Sequence, residues 1–317
     1  MILTSLLLIL GLALLLKGGD WLVDGASTLA RKYRISELAI GLTIVAFGTS
    51  APELVVNVLA SAGGQVDLAF GNVIGSNNFN LFLILGLSGL LAPVAVSAGT
   101  VWKEIPMSLV AAVALLLLAN DQLYGDAPMM LSRIDGIILL GLFALFLFYI
   151  YRNMRTETTS TETQQTPRST FKTVILIVAG LGGLVLGGRL VVDSAVEIAR
   201  FFQMSEKIIG LTIVAAGTSL PELVTSLVAV KKKSNDIAVG NILGSNIFNI
   251  FLILGISSTI RPMPFSTVFN TDITILLAGT VALFIAMFTG VRKKLDQWEA
   301  GLFVAFFVGY MVYLTIQ

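Results

Sequence analysis

The sequence predicts an all-α membrane protein: ten transmembrane helices arranged as two inverted five-helix repeats. Three observations support this. The 317-residue chain is 56% hydrophobic and only 12% charged, with a mean hydropathy of +0.91, whereas soluble domains carry about 25% charged residues. Several apolar stretches approach the roughly 20 residues that span a bilayer as a helix. Residues 36–86 and 205–255 match at a constant offset of 169 with 31 identities in 51 positions, which indicates an internal duplication.

The apolar stretches predict the helices in chain order. They lie at residues 2–29, 37–61, 68–92, 105–119, 133–151, 172–199, 206–230, 237–260, 271–289 and 298–316. The alternating ten-residue segments of a transmembrane barrel are absent. A Thr-rich polar segment, 152–171, separates the two sets of five and has little to bury. We therefore expect a first repeat at 1–151, a cytoplasmic linker at 152–171 and a second repeat at 172–317.

The odd number of helices in each repeat predicts the topology. The second repeat must enter the membrane from the opposite side, so equivalent residues face each other near the midplane. Fourteen basic residues fall in the loops after helices 1, 3, 5, 7 and 9, and only four in the loops of the other face. Because basic loops stay cytoplasmic, we expect both termini on the extracytoplasmic side of the inner or plasma membrane.

The motif Gly-Thr-Ser-X-Pro-Glu occurs at 48–53 and again at 217–222. Pro52 and Pro221 each remove one helical hydrogen bond and crowd the carbonyl four residues earlier. Helices 2 and 7 should therefore be broken, which leaves carbonyls from Ala46 to Gly48, and from Ala215 to Gly217, without helical partners. In lipid, such carbonyls are tolerated only beside protein, water or an ion.

Hydroxyls and a carboxylate surround each predicted break. The residues are Thr49, Ser50 and Glu53 in the first repeat and Thr218, Ser219 and Glu222 in the second. A carboxylate inside a membrane is costly and usually functional. The set contains only oxygen ligands, which suits hard cations such as Ca²⁺ and Na⁺. One Ca²⁺ or two Na⁺ would neutralise the two glutamates, so these ions would compete for the same negative pair.

A second duplicated motif follows each break, at residues 71–80 and 240–249. Its glycines have the small-xxx-small spacing that lets helices approach closely. The motif adds candidate site oxygens at Ser76, Asn80, Ser245 and Asn249. The remaining asparagines of the motif, at 72, 77, 241 and 246, are interpreted as interhelical packing contacts.

Charged residues in helices 1 and 6 are interpreted as pairs. Lys17 is spaced to meet Asp20 and Asp24, and Arg189 to meet Asp193. The chain contains no Cys and no His, which removes thiolate and imidazole metal ligands. Ser50 or Ser219 as the nucleophile of an intramembrane hydrolase would lack an evident base. An enzyme is therefore disfavoured, and no cofactor is expected.

The paired motifs resemble the two alpha-repeats of the calcium/cation antiporter superfamily, specifically its bacterial and archaeal sodium/calcium exchangers. The resemblance implies that Glu53, Glu222 and the carbonyls of Thr49 and Thr218 bind Ca²⁺. It implies one Na⁺ site at Ser50, Ser76 and the Ala46 carbonyl. It implies a second at Ser219, Ser245 and the Ala215 carbonyl, with Asn80 and Asn249 lining the centre. Several exchangers carry Asp at the position of Asn249, so the Na⁺ stoichiometry stays open.

The resemblance implies a secondary antiporter that exchanges Na⁺ for Ca²⁺ by alternating access. Its partners would be the lipid bilayer and the two ions, without nucleic acid, and a monomer would suffice. Proton-coupled or K⁺-dependent exchange is the nearest alternative, because the glutamates could carry protons. An ion channel is a further alternative, but it would not need matched inverted halves.

Overall fold

The computed structural model describes residues 2–121, 128–154, 169–203, 215–290 and 292–316. The helices before the polar segment are α1 Ile2–Tyr33, α2 Glu37–Thr49, α3 Ala51–Ala62, α4 Val66–Leu91, α5 Thr100–Ala119 and α6 Arg133–Asn153. Those after it are α7 Thr170–Phe201, α8 Ala215–Gly217, α9 Leu220–Lys231, α10 Asn235–Ile260, α11 Phe269–Ala286 and α12 Gln297–Ile316. Among the described residues, seven helices are long and apolar enough to span a membrane, or eight when the bent pair α2 and α3 counts as one span.

The predicted helix boundaries are largely reproduced, with two clear differences. Helix α5 begins at Thr100 rather than at residue 105, because a π-helical turn, Thr100–Glu104, precedes the helix that contains Pro106. Helix α1 continues to Tyr33, four residues beyond its predicted end at residue 29. The first part of the predicted helix 206–230, residues 206–214, lies outside the described residues.

Two short antiparallel strand pairs join the loops of the two halves. Strand β1, Val94–Ala95, pairs with β4, Lys294–Leu295, and β2, Met130–Leu131, pairs with β3, Met263–Pro264. The loop after α4 is thereby tied to the loop after α11, and the loop before α6 to the loop after α10. Each pair therefore links the loop after the third helix of one half to the loop after the fourth helix of the other half.

Helices α4 and α10 form the centre of the bundle. Among the most apolar 18 residues of each helix, 94% are buried in α10 and 78% in α4, against 28% in α1. Both central helices contain a π-helical stretch, Phe79–Ile84 in α4 and Phe248–Leu254 in α10. The outer helices expose large apolar side chains, as expected for a surface that faces lipid.

Helices α1 and α7 cross through glycines at very short range. A Cβ atom added to Gly18 would lie 2.7 Å from the amide nitrogen of Leu184, and one added to Gly180 would lie 2.6 Å from that of Leu22. Small residues at such crossings let the two backbones touch. The close-approach role that the sequence assigned to glycines 71 and 75 is not seen: no described atom lies within 4 Å of a Cβ on Gly75.

The corresponding glycines of the second motif do make the close approach. A Cβ on Gly240 would lie 2.8 Å from the Leu38 carbonyl oxygen, and one on Gly244 would lie 2.7 Å from Ala46 Cβ. Helix α10 therefore packs directly on α2. In the duplicated arrangement, the counterpart of α2 is mostly residues 206–214, which lie outside the described residues.

The predicted charge pairing is half right. Arg189 Nε lies 3.6 Å from Asp193 Oδ2, as expected. Asp20 and Asp24 instead pair with Lys232, whose Nζ lies 2.5 Å from Asp20 Oδ1 and 2.8 Å from Asp24 Oδ1. Lys17 was the wrong partner because its side chain is exposed on the outer face of α1, whereas Lys232 ends a helix that packs against α1.

Candidate ion-binding site

The two motifs form matched breaks. Helices α2 and α3 meet at an angle of 49°. The residue at that break, Ser50, has φ −82° and ψ 5°, and its counterpart Ser219 has φ −90° and ψ 6°. Pro52 and Pro221 lie in the first turn of the helices that follow, where a missing amide hydrogen costs least. The predicted breaks are therefore present at both serines.

One expectation about the breaks is wrong. The carbonyl oxygen of Ala46 is not free, because it accepts a hydrogen bond of 3.0 Å from the amide of Ser50. Thr49 Oγ1 also lies 3.3 Å from it. A proline removes only the bond from its own nitrogen, so the carbonyl that loses its helical donor is Gly48, four residues before Pro52. For Ala215, the side chain lies outside the described residues.

The serines at the breaks bind the glutamates of the opposite repeat. Ser50 Oγ donates to Glu222 Oε1 at 2.8 Å, and Ser219 Oγ donates to Glu53 Oε1 at 3.1 Å. All four side chains are buried, each with at most 3% of its surface exposed. The two breaks are therefore interlocked, and each carboxylate is held by a hydroxyl from the other half of the chain.

The serines of α4 and α10 also contact the residues of the two breaks. Ser76 Oγ lies 3.0 Å from Ser219 Oγ, and Ser245 Oγ lies 3.4 Å from Glu222 Oε1, the atom that also accepts from Ser50. Ser76 thus contacts Ser219, while Ser50 and Ser245 both approach Glu222 Oε1, which differs from the grouping of Ser50 with Ser76 and of Ser219 with Ser245. The reason is packing: α10 lies against α2, which ends at the first break, and α4 contacts α8, which ends at the second.

Four asparagines form a reciprocal network between α4 and α10. Asn80 Nδ2 donates to Asn246 Oδ1 at 3.1 Å, and Asn249 Nδ2 donates to Asn77 Oδ1 at 2.9 Å. Asn77 and Asn246 also donate to each other's backbone carbonyls, at 3.2 and 3.4 Å. The amide groups of Asn80 and Asn249 are thus occupied as donors, which fixes the orientation of their carbonyl oxygens.

Among the buried oxygens that have no hydrogen-bond donor in the described residues, four belong to the two glutamates and to the last asparagine of each motif. They are Glu53 Oε2, Glu222 Oε2, Asn80 Oδ1 and Asn249 Oδ1. Buried polar atoms in native proteins are almost always satisfied, so each exception requires an explanation. These four exceptions form two symmetric pairs, and all four atoms are acceptors that suit a hard cation.

Comparisons with known proteins agree with this chemistry. The family model described as sodium/calcium exchanger protein matches residues 3–152 and 172–316. The chain belongs to the sodium/calcium exchanger family. It is 38% identical to a putative antiporter, CaxA, of Alkalimonas amylolytica, over 99% of both chains. It is 33% identical to the sodium/calcium exchanger MaX1 of Methanosarcina acetivorans, over 98% of this chain and 97% of that one.

A solved structure has the same fold. The sodium-calcium exchanger NCX_Mj, soaked with zero Na⁺ and Ca²⁺, superposes with a TM-score of 0.85 at 32% sequence identity and covers 99% of both chains. The shared fold extends over nearly the whole of both chains. The matched region of this chain therefore includes the helix breaks, the interlocked serines and the asparagine network.

Hydrogen bonds from their hydroxyls hold the side chains of Thr49 and Thr218 in place. Thr49 Oγ1 donates to Asn241 Oδ1 at 3.0 Å, and Thr218 Oγ1 donates to Asn72 Oδ1 at 3.4 Å. Asn241 Nδ2 also donates to the Glu222 carbonyl oxygen at 3.3 Å. Each threonine hydroxyl is therefore committed to an asparagine of α10 or α4, and the backbone carbonyls of Thr49 and Thr218 as Ca²⁺ ligands stay a prediction.

Two residues that support the site were not predicted from the sequence. Asn57 Nδ2 donates to the backbone carbonyl of Glu53 at 2.9 Å, and Ser226 Oγ accepts from Asn241 Nδ2 at 3.0 Å. Both are fully buried. They occupy equivalent positions at the offset of 169, but the residue type differs between the repeats, so the identities between the repeats do not include them.

The site combines two carboxylates with neutral oxygens. Among the described residues, no group of three or more Asp, Glu, His or Cys side chains is arranged to hold a metal ion. Two ionised carboxylates buried together repel each other, and a cation relieves that repulsion. The arrangement can therefore neutralise two positive charges while supplying further oxygen ligands from serine, threonine and asparagine.

Proposed function

We propose that the chain is a secondary active antiporter that exchanges Na⁺ for Ca²⁺. The observation that carries the proposal is the symmetric set of four buried acceptor oxygens between the two helix breaks. Two of them are carboxylate oxygens, so a dehydrated Ca²⁺ gains both charge neutralisation and a partial coordination shell. Membership of the sodium/calcium exchanger family supports Na⁺ as the counter-ion.

In this proposal, Ca²⁺ binds at the centre. Its ligands are the carboxylates of Glu53 and Glu222 and the backbone carbonyls of Thr49 and Thr218. Asn80 and Asn249 line the same space with their unpartnered oxygens. Because Asn is present in both halves, the central site carries two negative charges, which one Ca²⁺ or two Na⁺ balance.

Na⁺ would bind on either side of the centre, and the contacts suggest how the ligands divide. Glu53, Ser76 and Ser219 lie together, and the Ala215 carbonyl would join them. Glu222, Ser50 and Ser245 form the other group, with the Ala46 carbonyl as the further ligand. Ala46 keeps one lone pair beyond its bond to Ser50, since a carbonyl oxygen can accept twice. Each Na⁺ site would thus contain one glutamate shared with Ca²⁺, so the two ions would exclude each other.

The transport cycle would follow from the repeat arrangement. We propose ten spans in two inverted five-helix halves, 1–151 and 172–317, joined by the cytoplasmic linker 152–171. The two segments matched by the family model support this division, and the two strand pairs, which join corresponding loops of opposite halves in the same way, support the pairing of halves. Alternating access would open the shared site first to one side and then to the other.

The excess of basic residues on one face supports an orientation of the chain in the membrane. The loop between α11 and α12 and the loop after α9 belong to the basic face, which would be cytoplasmic. Both termini would then lie outside the inner or plasma membrane. We propose a monomer as the functional unit, because both halves of the site come from one chain.

Flux in proteoliposomes tests the function. An outwardly directed Na⁺ gradient should drive Ca²⁺ uptake, and Glu53→Gln should abolish it because the central charge no longer balances Ca²⁺. Glu197→Gln is a suitable control, since Glu197 accepts a bond from Thr4 on the outer helices, away from the breaks. Ca²⁺ uptake driven equally by a pH step without Na⁺ would establish proton coupling instead, and uptake with no counter-ion would indicate a channel.

A further inference from the structure

A long groove runs along the lipid-facing surface between α11 and α12. Its volume is about 870 Å³. These consecutive helices pack mainly against other elements, α11 on α4 and α5 and α12 on α4, and so leave a space between them. The wall from α11 is low because it is built from Ala278, Gly279 and Ala282, while Leu302 and Phe306 form the opposite wall and Phe82 of α4 the floor.

The dimensions and lining of the groove suit a hydrocarbon chain. It extends along α11 from Thr274 to Ala286, or about 18 Å at the helical rise of 1.5 Å per residue, and continues past the helix end to Thr289. The helical part alone is longer than the ~15 Å hydrocarbon depth of one leaflet. The volume falls within the range of about 300–1,000 Å³ found for small-ligand sites. Ile285 and Leu302 on its rims are 55% and 60% exposed, so the groove opens to the membrane.

One end of the groove is built for a headgroup. Trp298 lines it there and is 60% exposed, which is typical of a side chain at the membrane interface. The adjoining loop carries Arg292 and Lys293, both exposed. No ion pair is found for either of them among the described residues, whereas their neighbour Lys294 lies 3.8 Å from Asp296.

Among the described residues that line this end of the groove, the one carboxylate is turned inward. Glu299 is 4% exposed and accepts hydrogen bonds from the hydroxyl of Thr289 and from the amide of Asp296, the latter at 2.9 Å. Its two oxygens are thereby occupied. The accessible charge at the mouth of the groove is therefore positive, which favours an anionic headgroup.

We propose that this groove binds an anionic phospholipid. One acyl chain lies between α11 and α12, and the phosphate and headgroup contact Arg292 and Lys293 beside Trp298. The site is separate from the ion-binding residues, since none of its charged or indole side chains contacts either helix break. Its floor, Phe82, belongs to the π-helical stretch of α4 that also carries Asn80, so the bound lipid rests on an element of the central site.

Quenching of Trp298 fluorescence by brominated lipids tests the proposal. Trp21→Phe with Trp102→Phe leaves Trp298 as the single tryptophan of the full chain, which has three. The protein is reconstituted in phosphatidylcholine that contains increasing fractions of brominated phosphatidylglycerol or, separately, brominated phosphatidylcholine. We expect half-maximal quenching at a fraction of brominated phosphatidylglycerol about fivefold lower than the fraction of brominated phosphatidylcholine that is needed. A difference of about fivefold is what one basic residue near the membrane surface contributes.

Two variants and one control separate a specific site from general attraction. Arg292→Gln with Lys293→Gln, on the exposed loop, should remove the anionic preference, and Ala282→Phe should reduce quenching by both lipids by filling the groove. A protein with Trp102 alone is the control, because Trp102 is 61% exposed beside the basic Lys103 but packs on Phe284 and Phe288 outside the groove.

Three results would overturn the proposal. The first is equal quenching of Trp298 by the anionic and the neutral lipid. The second is an anionic preference that survives the loss of both loop charges. The third is the same preference at Trp102 as at Trp298, which would reduce the effect to the general enrichment of anionic lipid around a basic surface.

Discussion

Ser50 donates a hydrogen bond to Glu222 across 172 residues of sequence, and Ser219 donates to Glu53 in the reverse sense. Each helix break therefore supplies the donor that orients the carboxylate of the other. One oxygen of each carboxylate is fixed in this way, and the second has no donor among the described residues. The geometry of the site thus depends on the two halves at once.

Ser50→Ala should weaken Ca²⁺ binding although it leaves both glutamates in place. A hydrogen bond to a charged group contributes about 1.5–3 kcal/mol, which corresponds to a loss of roughly tenfold to a hundredfold in apparent affinity. The half-saturating Ca²⁺ concentration for Na⁺-driven uptake measures the effect. Ser258→Ala is the control, because Ser258 is equally buried but donates to the Leu254 carbonyl. An unchanged half-saturating concentration would contradict the role of Ser50.

Asn246→Ala should reduce Ca²⁺ affinity without touching any proposed ligand. The change removes the oxygen that accepts from Asn80 Nδ2, so the Asn80 amide can rotate and its carbonyl oxygen is no longer held in place. We expect a loss of about tenfold, from a hydrogen-bond network worth about 1–2 kcal/mol. Isothermal titration with Ca²⁺ in detergent measures it.

Asn120→Ala provides the matched control for this network. Asn120 is also buried and exchanges amide hydrogen bonds of 2.9 and 2.8 Å with Asn270, outside the helix breaks. It should lower thermal stability and leave the Ca²⁺ affinity of the folded protein unchanged. If both variants lost affinity equally, the asparagines of α4 and α10 would have only a structural role.

Gly180→Ala should destabilise the protein because the added Cβ would lie 2.6 Å from the amide nitrogen of Leu22. The backbones of α1 and α7 would have to separate, and overpacking of this kind costs about 1–3 kcal/mol. A lower midpoint of thermal unfolding measures the effect. Gly182→Ala, on the same helix, has no described neighbour within 4 Å and should be neutral or slightly stabilising, because Ala favours helix. Equal effects of the two changes would contradict the proposed crossing.

Lys232→Gln should lower thermal stability more than Lys231→Gln does. Partial burial disfavours the charged amine, but hydrogen bonds with Asp20 and Asp24 outweigh this and raise the pKa of Lys232 above its usual value. The exposed neighbour Lys231 serves as the control. A group whose pKa is higher in the folded state stabilises below its unfolded pKa of about 10.4. The difference between the variants should therefore be full at neutral pH and disappear as the pH rises through the raised value. A difference that persists at strongly alkaline pH would exclude the ion pairs as its cause.

Much of the candidate site could be predicted because its motifs occur twice in the sequence. Glu53 and Glu222 occur at the same offset in apolar surroundings, and a carboxylate inside a membrane is usually functional because it is costly. The prolines then located the breaks. What repetition could not reveal is which copy of a residue contacts which. Identical neighbours within a repeat look like partners, yet Ser76 lies beside Ser219 because α4 contacts α8.

The errors in the fold have similar causes. Local spacing placed Lys17 next to Asp20 and Asp24, but the residue that reaches both comes from the end of α9, 208 residues beyond Asp24. The interpretation of Asn77 and Asn246 as interhelical contacts is confirmed by the hydrogen bonds to each other's backbone, but an asparagine that also orients a neighbouring amide has the same sequence signature. Only the direction of the hydrogen bonds, from Asn80 and Asn249, distinguishes the two.

The exchange of serine donors between the two breaks also bears on the origin of the chain. A polypeptide that held only one of the two motifs would carry a buried glutamate without its hydroxyl donor and a serine without its acceptor. Such a half would complete its site only against a second copy of itself. Duplication within one chain, which the 31 identities at a constant offset indicate, supplies both copies at once and lets equivalent positions such as Asn57 and Ser226 differ.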